Sequence, residues 1–547
     1  MQGFADFADG ILGGALLAAL AVALGGVVFA WLVLAPGSDA ASRALRARCA
    51  GLVALSAAAL ALCQLAALDL KVRLLAGYLG PDALTRFLAT PAARAGIARA
   101  ALSAALAVAA LALRRDPDAP VRRAVVWLLA ALVAVSGAWL VHAAGRLEHR
   151  DMLMVVTVLH QVAASVWAGG LVHLGAAWRL GRRDPAVGAL WPDTVARFSR
   201  VALASVAALC VLALPLASAY VGSIAGLVGT GYGALVLTKI ALLAAALVLA
   251  AGNFGAVRRY RHSGSAAGVR ERVPIRVEGE TILTMVLLFT AASLSSQPPA
   301  RDITHERASI GEVVEVFRPK IPALRTPSVQ AVLNDDSDPY AVAGGGRTAV
   351  AYSWSNFSHN VSGLALLAMS AVALVGIASG WRWTRHWPLG IAVLGVFVLL
   401  RSLAVDGIRP FGPNPFWATT LGSAEDMQHR LAGLLAIALG LLEWRARQPD
   451  GHDTRLPYVF PVLALAGGLL LLVHSHAAFE AKSSYLVQVT HTAMGLLAVL
   501  VACTRLLELR LAPAAGRVAG AASCVAMLLV ALVLVFYREA NVVVTLP

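Results

Sequence analysis

The sequence predicts an all-α polytopic membrane protein with about fourteen transmembrane helices. The 547 residues are 59% hydrophobic and only 14% charged, whereas about a quarter of the residues in a soluble domain are charged. The apolar residues form continuous runs long enough to cross a hydrocarbon core, which takes about 20 residues per helix. These runs do not alternate with polar residues, and this excludes a porin-type barrel.

The apolar runs fall into two sets, and a polar segment separates them. The predicted spans are 11–35, 50–69, 95–113, 124–144, 153–178, 199–222, 234–255 and 277–296, followed by 359–381, 388–405, 429–446, 458–479, 491–508 and 517–537. The segment between the sets is rich in proline and aspartate and cannot cross a bilayer. We therefore predict an eight-helix bundle over 1–296, an extracytoplasmic loop over 297–358 and a six-helix bundle over 359–547.

Positive charges indicate the orientation of these helices. Arginines concentrate in every second short loop, beginning with Arg43, Arg46 and Arg48. Because such loops stay on the cytoplasmic side, both termini and the 297–358 loop are predicted to be extracytoplasmic. The net charge of +15 is thus attributed to topology, and no nucleic-acid partner is expected.

Cysteine and nucleotide-binding motifs give no sign of other chemistry. The five cysteines are scattered and form no C-x-x-C pair, so neither a disulfide framework nor a thiolate metal site is predicted. The sequence contains no G-x-x-x-x-G-K-[ST] phosphate loop. We therefore do not expect an enzyme or an ATP-driven pump.

The histidines of the second bundle share one level of the predicted membrane. His359, His429 and His491 each open a span, and His474 and His476 close another. A single imidazole at a helix end can cap carbonyl groups, but ionisable side chains at membrane depth are costly and commonly mark functional paths. Four helices that present imidazole at the extracytoplasmic side therefore indicate one shared site.

Sulfur ligands accompany these histidines. Met494 follows His491 by one helical turn, and Met427 precedes His429 by two residues. Imidazole binds copper, zinc, nickel and iron, and a thioether adds a preference for Cu(I), so copper fits this set best. We expect His429 and His491 to be primary ligands. The predicted copper ligands in this bundle are His429, His491, His474, His476, Met494, Met427 and His359.

Two histidines of the first bundle also lie on the predicted extracytoplasmic side. His142 closes the fourth span, and His160 lies about two turns into the fifth. They are candidates for a further copper position. Two histidines on adjacent helices at one depth can also ligate haem axially, so a b-type haem electron carrier remains an alternative.

Several stretches carry a family resemblance. They include LHQVAASVWAGGLVHL from Leu159, FSRVALASV from Phe198, GALVLTKIALLAAALVLAAGNF from Gly233 and VEGETILTMVLLFTAASLSSQPPA from Val277. In order and in histidine placement they resemble the bacterial copper-resistance protein D (CopD) family of inner-membrane proteins, whose core domain corresponds to about 195–297 here. Later stretches around His429 and His491 look like the C-terminal half of longer members.

The resemblance implies copper transport or delivery at the bacterial cytoplasmic membrane and a role in copper resistance. It also implies cooperation with a small periplasmic copper carrier of the copper-resistance protein C type, which is not fused to this chain. Besides the haem carrier, a factor that hands copper to a membrane oxidase without transporting it remains an alternative. The positions that match the family's histidines are His142, His160, His429, His474, His476 and His491.

Overall fold

The protein is almost entirely helical. The structure is a computed structural model that describes residues 2–34, 37, 39–304, 307–336, 348–449, 455–473 and 481–539. The chain is 85% helical, and no β-strand occurs in these described residues. The predicted all-α polytopic membrane fold is confirmed.

Twenty-one α-helices occur in the described residues. They are α1 (Gln2–Val28), α2 (Ala40–Leu79), α3 (Ala83–Leu88), α4 (Pro91–Arg115), α5 (Pro120–Ser136), α6 (Arg150–Gly181), α7 (Pro185–Ala189), α8 (Trp191–Tyr220), α9 (Ile224–Val228), α10 (Gly231–Ser263), α11 (Ala267–Glu271), α12 (Val273–Leu294), α13 (Ile310–Val316), α14 (Val329–Asp336), α15 (Ala349–Ser379), α16 (Pro388–Val405), α17 (Phe416–Gly422), α18 (Ala424–Ala446), α19 (Val459–Leu472), α20 (Ala481–Arg510) and α21 (Pro513–Val535).

Twelve helices of the described chain are long and apolar enough to cross a membrane. The other two predicted spans, 429–446 and 458–479, coincide with α18 and α19. Helix α19 has 14 described residues, fewer than the roughly 20 that a straight crossing needs. Helix α18 carries charge near both ends, at Glu425, Arg430 and Glu443. The count of fourteen and the extracytoplasmic position of the termini therefore remain predictions.

The ninth predicted span begins earlier than the hydropathy pattern indicates. Helix α15 starts at Ala349 rather than at 359, and the Thr348 side chain accepts a hydrogen bond from the Ala351 backbone N–H at its N-cap. Such a cap satisfies an otherwise unpaired N–H and lets a helix begin in a polar stretch. His359 consequently lies ten residues, or about 15 Å, inside α15.

The chain divides into two compact units. Unit 1 comprises Met1–Phe7, Ser223–Thr238 and Asp302–Pro547, and unit 2 comprises Ala8–Gly222 and Lys239–Arg301. The predicted domain boundaries at 296 and 358 remain predictions.

Within unit 1, six long helices form a closed ring. Helix α15 packs against α16 and α21, α16 packs against α18, and α19 joins α18 to α20, which contacts α21. Around the ring the order is therefore α15, α16, α18, α19, α20 and α21. Because successive helices of an up-and-down ring alternate in direction, α15, α18 and α20 run the same way.

Within unit 2, close helix crossings rely on small residues. A Cβ atom at Gly25 of α1 would lie 2.5 Å from the Ser165 carbonyl oxygen of α6. Small side chains at such crossings let helix backbones approach in lipid, where packing rather than the hydrophobic effect holds helices together. Buried residues of α1, α2, α4 and α5 form an apolar core cluster in this unit.

Candidate metal centre

Three imidazoles meet inside the ring of unit 1. His359 of α15, His429 of α18 and His491 of α20 each offer a ring nitrogen, and these three atoms all lie within 4.8 Å of one another. The three helices are alternate members of the ring and run in one direction, so residues near their starts lie at a similar level. His491 is buried, and the other two are half-buried. Sequence analysis predicted that these histidines share one level of the membrane.

The same local hydrogen bond orients each of the three rings. The Nδ1 atom lies 2.9 Å from the Ser355 carbonyl oxygen in His359, 2.8 Å from that of Glu425 in His429, and 2.9 Å from that of Val487 in His491. A carbonyl oxygen only accepts, so each Nδ1 carries the proton and donates it. Nε2 is then the nitrogen whose lone pair is available for a metal.

The separation of these nitrogens is close to what a metal ion requires. With metal–nitrogen bonds of about 2.0–2.1 Å, ligand nitrogens in a tetrahedral site lie about 3.3 Å apart. The 4.8 Å limit on the distances between the ring nitrogens is about 1.5 Å wider than this, so a bound metal ion would draw the rings together. In the described part of the chain, this is the group of three or more His, Cys, Asp and Glu side chains that could hold a metal ion.

An aromatic ring and a carboxylate surround His359. The Tyr537 ring stacks on the His359 imidazole at a centroid distance of 4.1 Å and meets the His491 ring edge-on at 6.0 Å. The Tyr537 hydroxyl donates to Glu539 Oε1 at 2.8 Å, and the Ser355 hydroxyl donates to the same oxygen at 2.5 Å. The Glu539 carboxylate is thus connected to His359 through Tyr537 and Ser355, and a carboxylate in this position favours a bound cation.

Sequence analysis did not identify Tyr537 or Glu539 as site residues. Both follow α21, and no motif marks them. The one available signal was the parity of the spans, that is, the change of membrane side from each span to the next. It places the end of the last predicted span on the same side of the membrane as the histidines. Parity gives the level of a residue but not the direction of its side chain.

Arg401 fixes α16 against α15 beside the site. Its Nε donates to the Ser358 hydroxyl at 2.9 Å, and one terminal nitrogen donates to the Trp354 carbonyl at 3.2 Å. Its guanidinium also lies over the Trp354 ring, 3.1 Å from the centroid. A charged residue inside a span can form a structural contact or line a path for a charged substrate. These contacts favour the structural role.

The residue after His429 is a buried cation with a paired charge. Arg430 is 2% exposed, and its guanidinium contacts the Asp406 carboxylate and donates to the Thr420 hydroxyl. This ion pair joins the start of α18 to the segment after α16. It also neutralises a positive charge that would otherwise oppose cation binding at His429.

The remaining predicted ligands of unit 1 are only partly described. His474 and His476 lie outside the described residues. Met494 is buried one turn after His491, at 3% exposure, and Met427 is half-buried in the first turn of α18. Their participation in the site therefore remains a prediction.

The two predicted ligands of unit 2 lie outside the group of three imidazoles. His142 is exposed in a short 3-10 turn after α5, and its ring lies 6.4 Å from that of Tyr220. His160 lies within α6, and its Nδ1 atom is buried without a hydrogen-bond partner. Their role as a copper position or a haem pair remains a hypothesis.

One segment of the chain matches a known protein family. The profile described as "Copper resistance protein D" matches residues 192–294. Residues 192–294 are therefore similar to the copper resistance protein D family. This confirms the resemblance found in the sequence, with domain limits within three residues of those predicted. The three imidazoles of unit 1 lie outside the copper resistance protein D match, which covers α8 to α12.

One curated protein is similar to part of the chain. Copper transport protein CutJ of Bacillus subtilis (strain 168) is 29% identical over 151 residues, which is 28% of this chain. The chain spans only 26% of the length of that relative. No solved structure matches the chain.

Proposed function

We propose that the three-imidazole site of unit 1 binds copper as cargo, and that the chain transports or delivers copper at the bacterial cytoplasmic membrane. In this way it contributes to copper homeostasis and resistance. The observation that carries the proposal is the convergence of His359, His429 and His491, each held by an Nδ1–H bond to its own helix. The family match and the name of CutJ are consistent with this cargo.

The donor set favours copper over hard cations. Magnesium and calcium prefer oxygen ligands, whereas imidazole nitrogen suits copper, zinc, nickel and iron. A thioether would shift the preference toward Cu(I), and Met494 lies buried one turn from His491. His474, His476 and Met427 remain candidates for the remaining coordination positions.

The predicted orientation places the copper site near the periplasmic surface. Under that orientation a periplasmic carrier of the copper-resistance protein C type hands copper to the imidazoles, and unit 1 passes it inward. His359 lies about 15 Å along α15 from its start at Ala349, so the site is inside the helical ring rather than on a loop. The imidazoles there give copper a polar position within the membrane.

Metal retention by purified protein tests the site. We expect wild-type protein loaded with copper and passed over a chelating resin to keep copper, and the triple variant His359→Ala, His429→Ala, His491→Ala to lose it. The matched control is His386→Ala, which removes one exposed histidine that accepts a hydrogen bond from Trp444. Full copper content in the triple variant would refute the proposal.

Copper content of cells separates transport from delivery to an oxidase. Cells that express wild-type protein should accumulate more cytosolic copper than cells that express His429→Ala with His491→Ala. A factor that only hands copper to a membrane oxidase should leave total uptake equal in the two strains. Equal uptake combined with copper retention in vitro would therefore favour the assembly role.

A further inference from the structure

A carboxylate lies buried in unit 2, within the segment that matches copper resistance protein D. Glu280 is 3% exposed and lies seven residues, or about 11 Å, inside α12. Helix α12 lies within the candidate span Val273–Leu294. Ionisable side chains at such positions are costly and usually have a functional role.

Two neutral side chains from two other helices donate hydrogen bonds to this carboxylate. The Trp167 indole N–H of α6 donates to Glu280 Oε1 at 2.9 Å, and the Asn253 amide of α10 donates to Oε2 at 3.1 Å. Within the described part of the chain, Glu280 forms no ion pair. A permanent charge here would thus lack the cation that normally compensates a buried carboxylate.

Two of the titratable or charged groups on the surrounding helices form hydrogen bonds of their own. Arg276, one turn earlier on α12, donates to the Gly252 carbonyl at 2.7 Å. The Nε2 atom of His173 on α6 lies 3.0 Å from the Val22 carbonyl oxygen. Helix α1 has no ionisable side chain between residues 10 and 34. The titratable or charged groups nearest to Glu280 along these helices are Arg276, Glu278, His160, His173, Lys239 and Arg258.

Asn253 provides an acceptor that nothing else uses. Its Oδ1 atom is buried without a hydrogen-bond partner, and the residue is 9% exposed. The amide is nearly symmetric in shape, so a half-turn exchanges its oxygen and nitrogen. In one orientation Asn253 donates to an ionised Glu280, and in the other its Oδ1 accepts from the O–H of a protonated Glu280. The same two residues therefore satisfy both protonation states.

A metal ion does not fit this position. Glu280 and Asn253 together offer three oxygen atoms, whereas calcium takes six to eight and magnesium needs an octahedral set. The Trp167 N–H also points at the carboxylate and occupies one oxygen. The proton is the cation that this arrangement can accommodate.

We propose that Glu280 is a proton-binding site inside the membrane, and that Asn253 hydrogen-bonds it in both states. One proton adds to the ionised carboxylate to give the carboxylic acid and leaves by the reverse step. The proposal uses no residue of the copper site and does not depend on copper as cargo.

Infrared spectroscopy of the purified full chain tests this site. We expect a carboxylic-acid C=O band that appears and disappears reversibly as the pH is changed and that shifts in D₂O. The band should be absent from Glu280→Gln and present in Glu278→Gln, a matched control two residues away on the same helix. A wild-type band that does not change with pH, the absence of any band, or its persistence in Glu280→Gln would overturn the proposal.

A second variant keeps the test valid if Glu280→Gln does not fold. Asn253→Leu removes the amide while Glu280 and the Trp167 bond remain. We expect the carboxylic-acid band to persist but at a different frequency, because its hydrogen-bond partner is gone. An unmoved band would refute the role of Asn253. Neither result depends on copper retention by the imidazole variants.

Discussion

The crossing of α16 and α18 sets the position of His429, and one methyl group should disturb it. Gly395 of α16 faces Gly433 of α18, one turn after His429. A Cβ atom at Gly395 would lie 2.6 Å from the Gly433 carbonyl oxygen and 2.7 Å from the Ile437 backbone nitrogen. Both atoms are backbone, so no side-chain rotation relieves the overlap. We predict that Gly395→Ala destabilises unit 1 and weakens copper binding.

The size of the effect follows from these distances. An ordinary contact of this kind begins at 3.4 Å, so the two helices must separate by about 0.8 Å. Overpacking of this kind costs about 1–3 kcal/mol in the free energy of unfolding. The shift also moves His429 relative to His359 and His491, and a binding site tolerates only about 0.5 Å of such error.

The assay compares Gly395→Ala with Gly467→Ala. Gly467 lies on α19 of the same ring, and a Cβ atom there would have nothing within 4 Å. Both substitutions gain the roughly 1 kcal/mol of helix propensity that alanine has over glycine, so their difference isolates the steric effect. Denaturation in detergent measures stability, and titration against a copper chelator measures affinity. If the two variants unfold at the same denaturant concentration, the reasoning about this crossing is wrong.

Three further predictions concern other parts of unit 1. Glu443→Gln should cost about 1–3 kcal/mol in denaturation experiments, because it removes one of the two carboxylates that pair with the buried guanidinium of Arg505 and leaves only Glu508. An unfolding midpoint equal to wild type would contradict this. The hydrogen bond from Lys482 lowers the pKa of Glu312. Their contact should therefore stabilise α13 at pH values above the unfolded carboxyl pKa of about 4.3, and this stabilisation should be lost as the pH falls through the lower pKa of Glu312 in the folded protein. Limited proteolysis across pH should show this loss in wild type and much less pH dependence in Lys482→Gln. Tyr537→Leu removes the ring stacked on His359 and should weaken copper binding about 10–100-fold in a chelator competition, as loss of an outer partner commonly does; an unchanged affinity would argue against a role for this ring.

Hydropathy and charge could predict the helices because a bilayer imposes a length and a composition on each crossing. Twelve of the predicted spans coincide with helices that meet both requirements. The start of α15 could not be placed, because the cap at Thr348 extends a helix beyond its apolar stretch. Span prediction therefore gives the apolar core of a helix and not its ends.

The candidate site could be predicted in part. The parity of the spans placed His359, His429 and His491 at one level of the membrane. Depth in the membrane is only one of the three coordinates that locate a side chain, and the other two lie in the membrane plane. The other two come from the ring order of the helices and from the hydrogen bond that fixes each imidazole, and neither is visible in the sequence. Glu280 shows the same limit, because its hydrogen bonds to Asn253 and Trp167 join three helices that are distant in the sequence.

The ring explains why three of its six helices supply the imidazoles. In an up-and-down ring, alternate members run in the same direction, so residues near the start of α15, α18 and α20 reach the same level from three sides. On each of these helices the carbonyl four residues before the histidine accepts the Nδ1 proton, and the helix itself thus selects the nitrogen that faces the centre. A metal centre of this kind needs no irregular backbone and no loop. It needs one histidine per alternate helix at the right depth, which explains why no local sequence motif marks it.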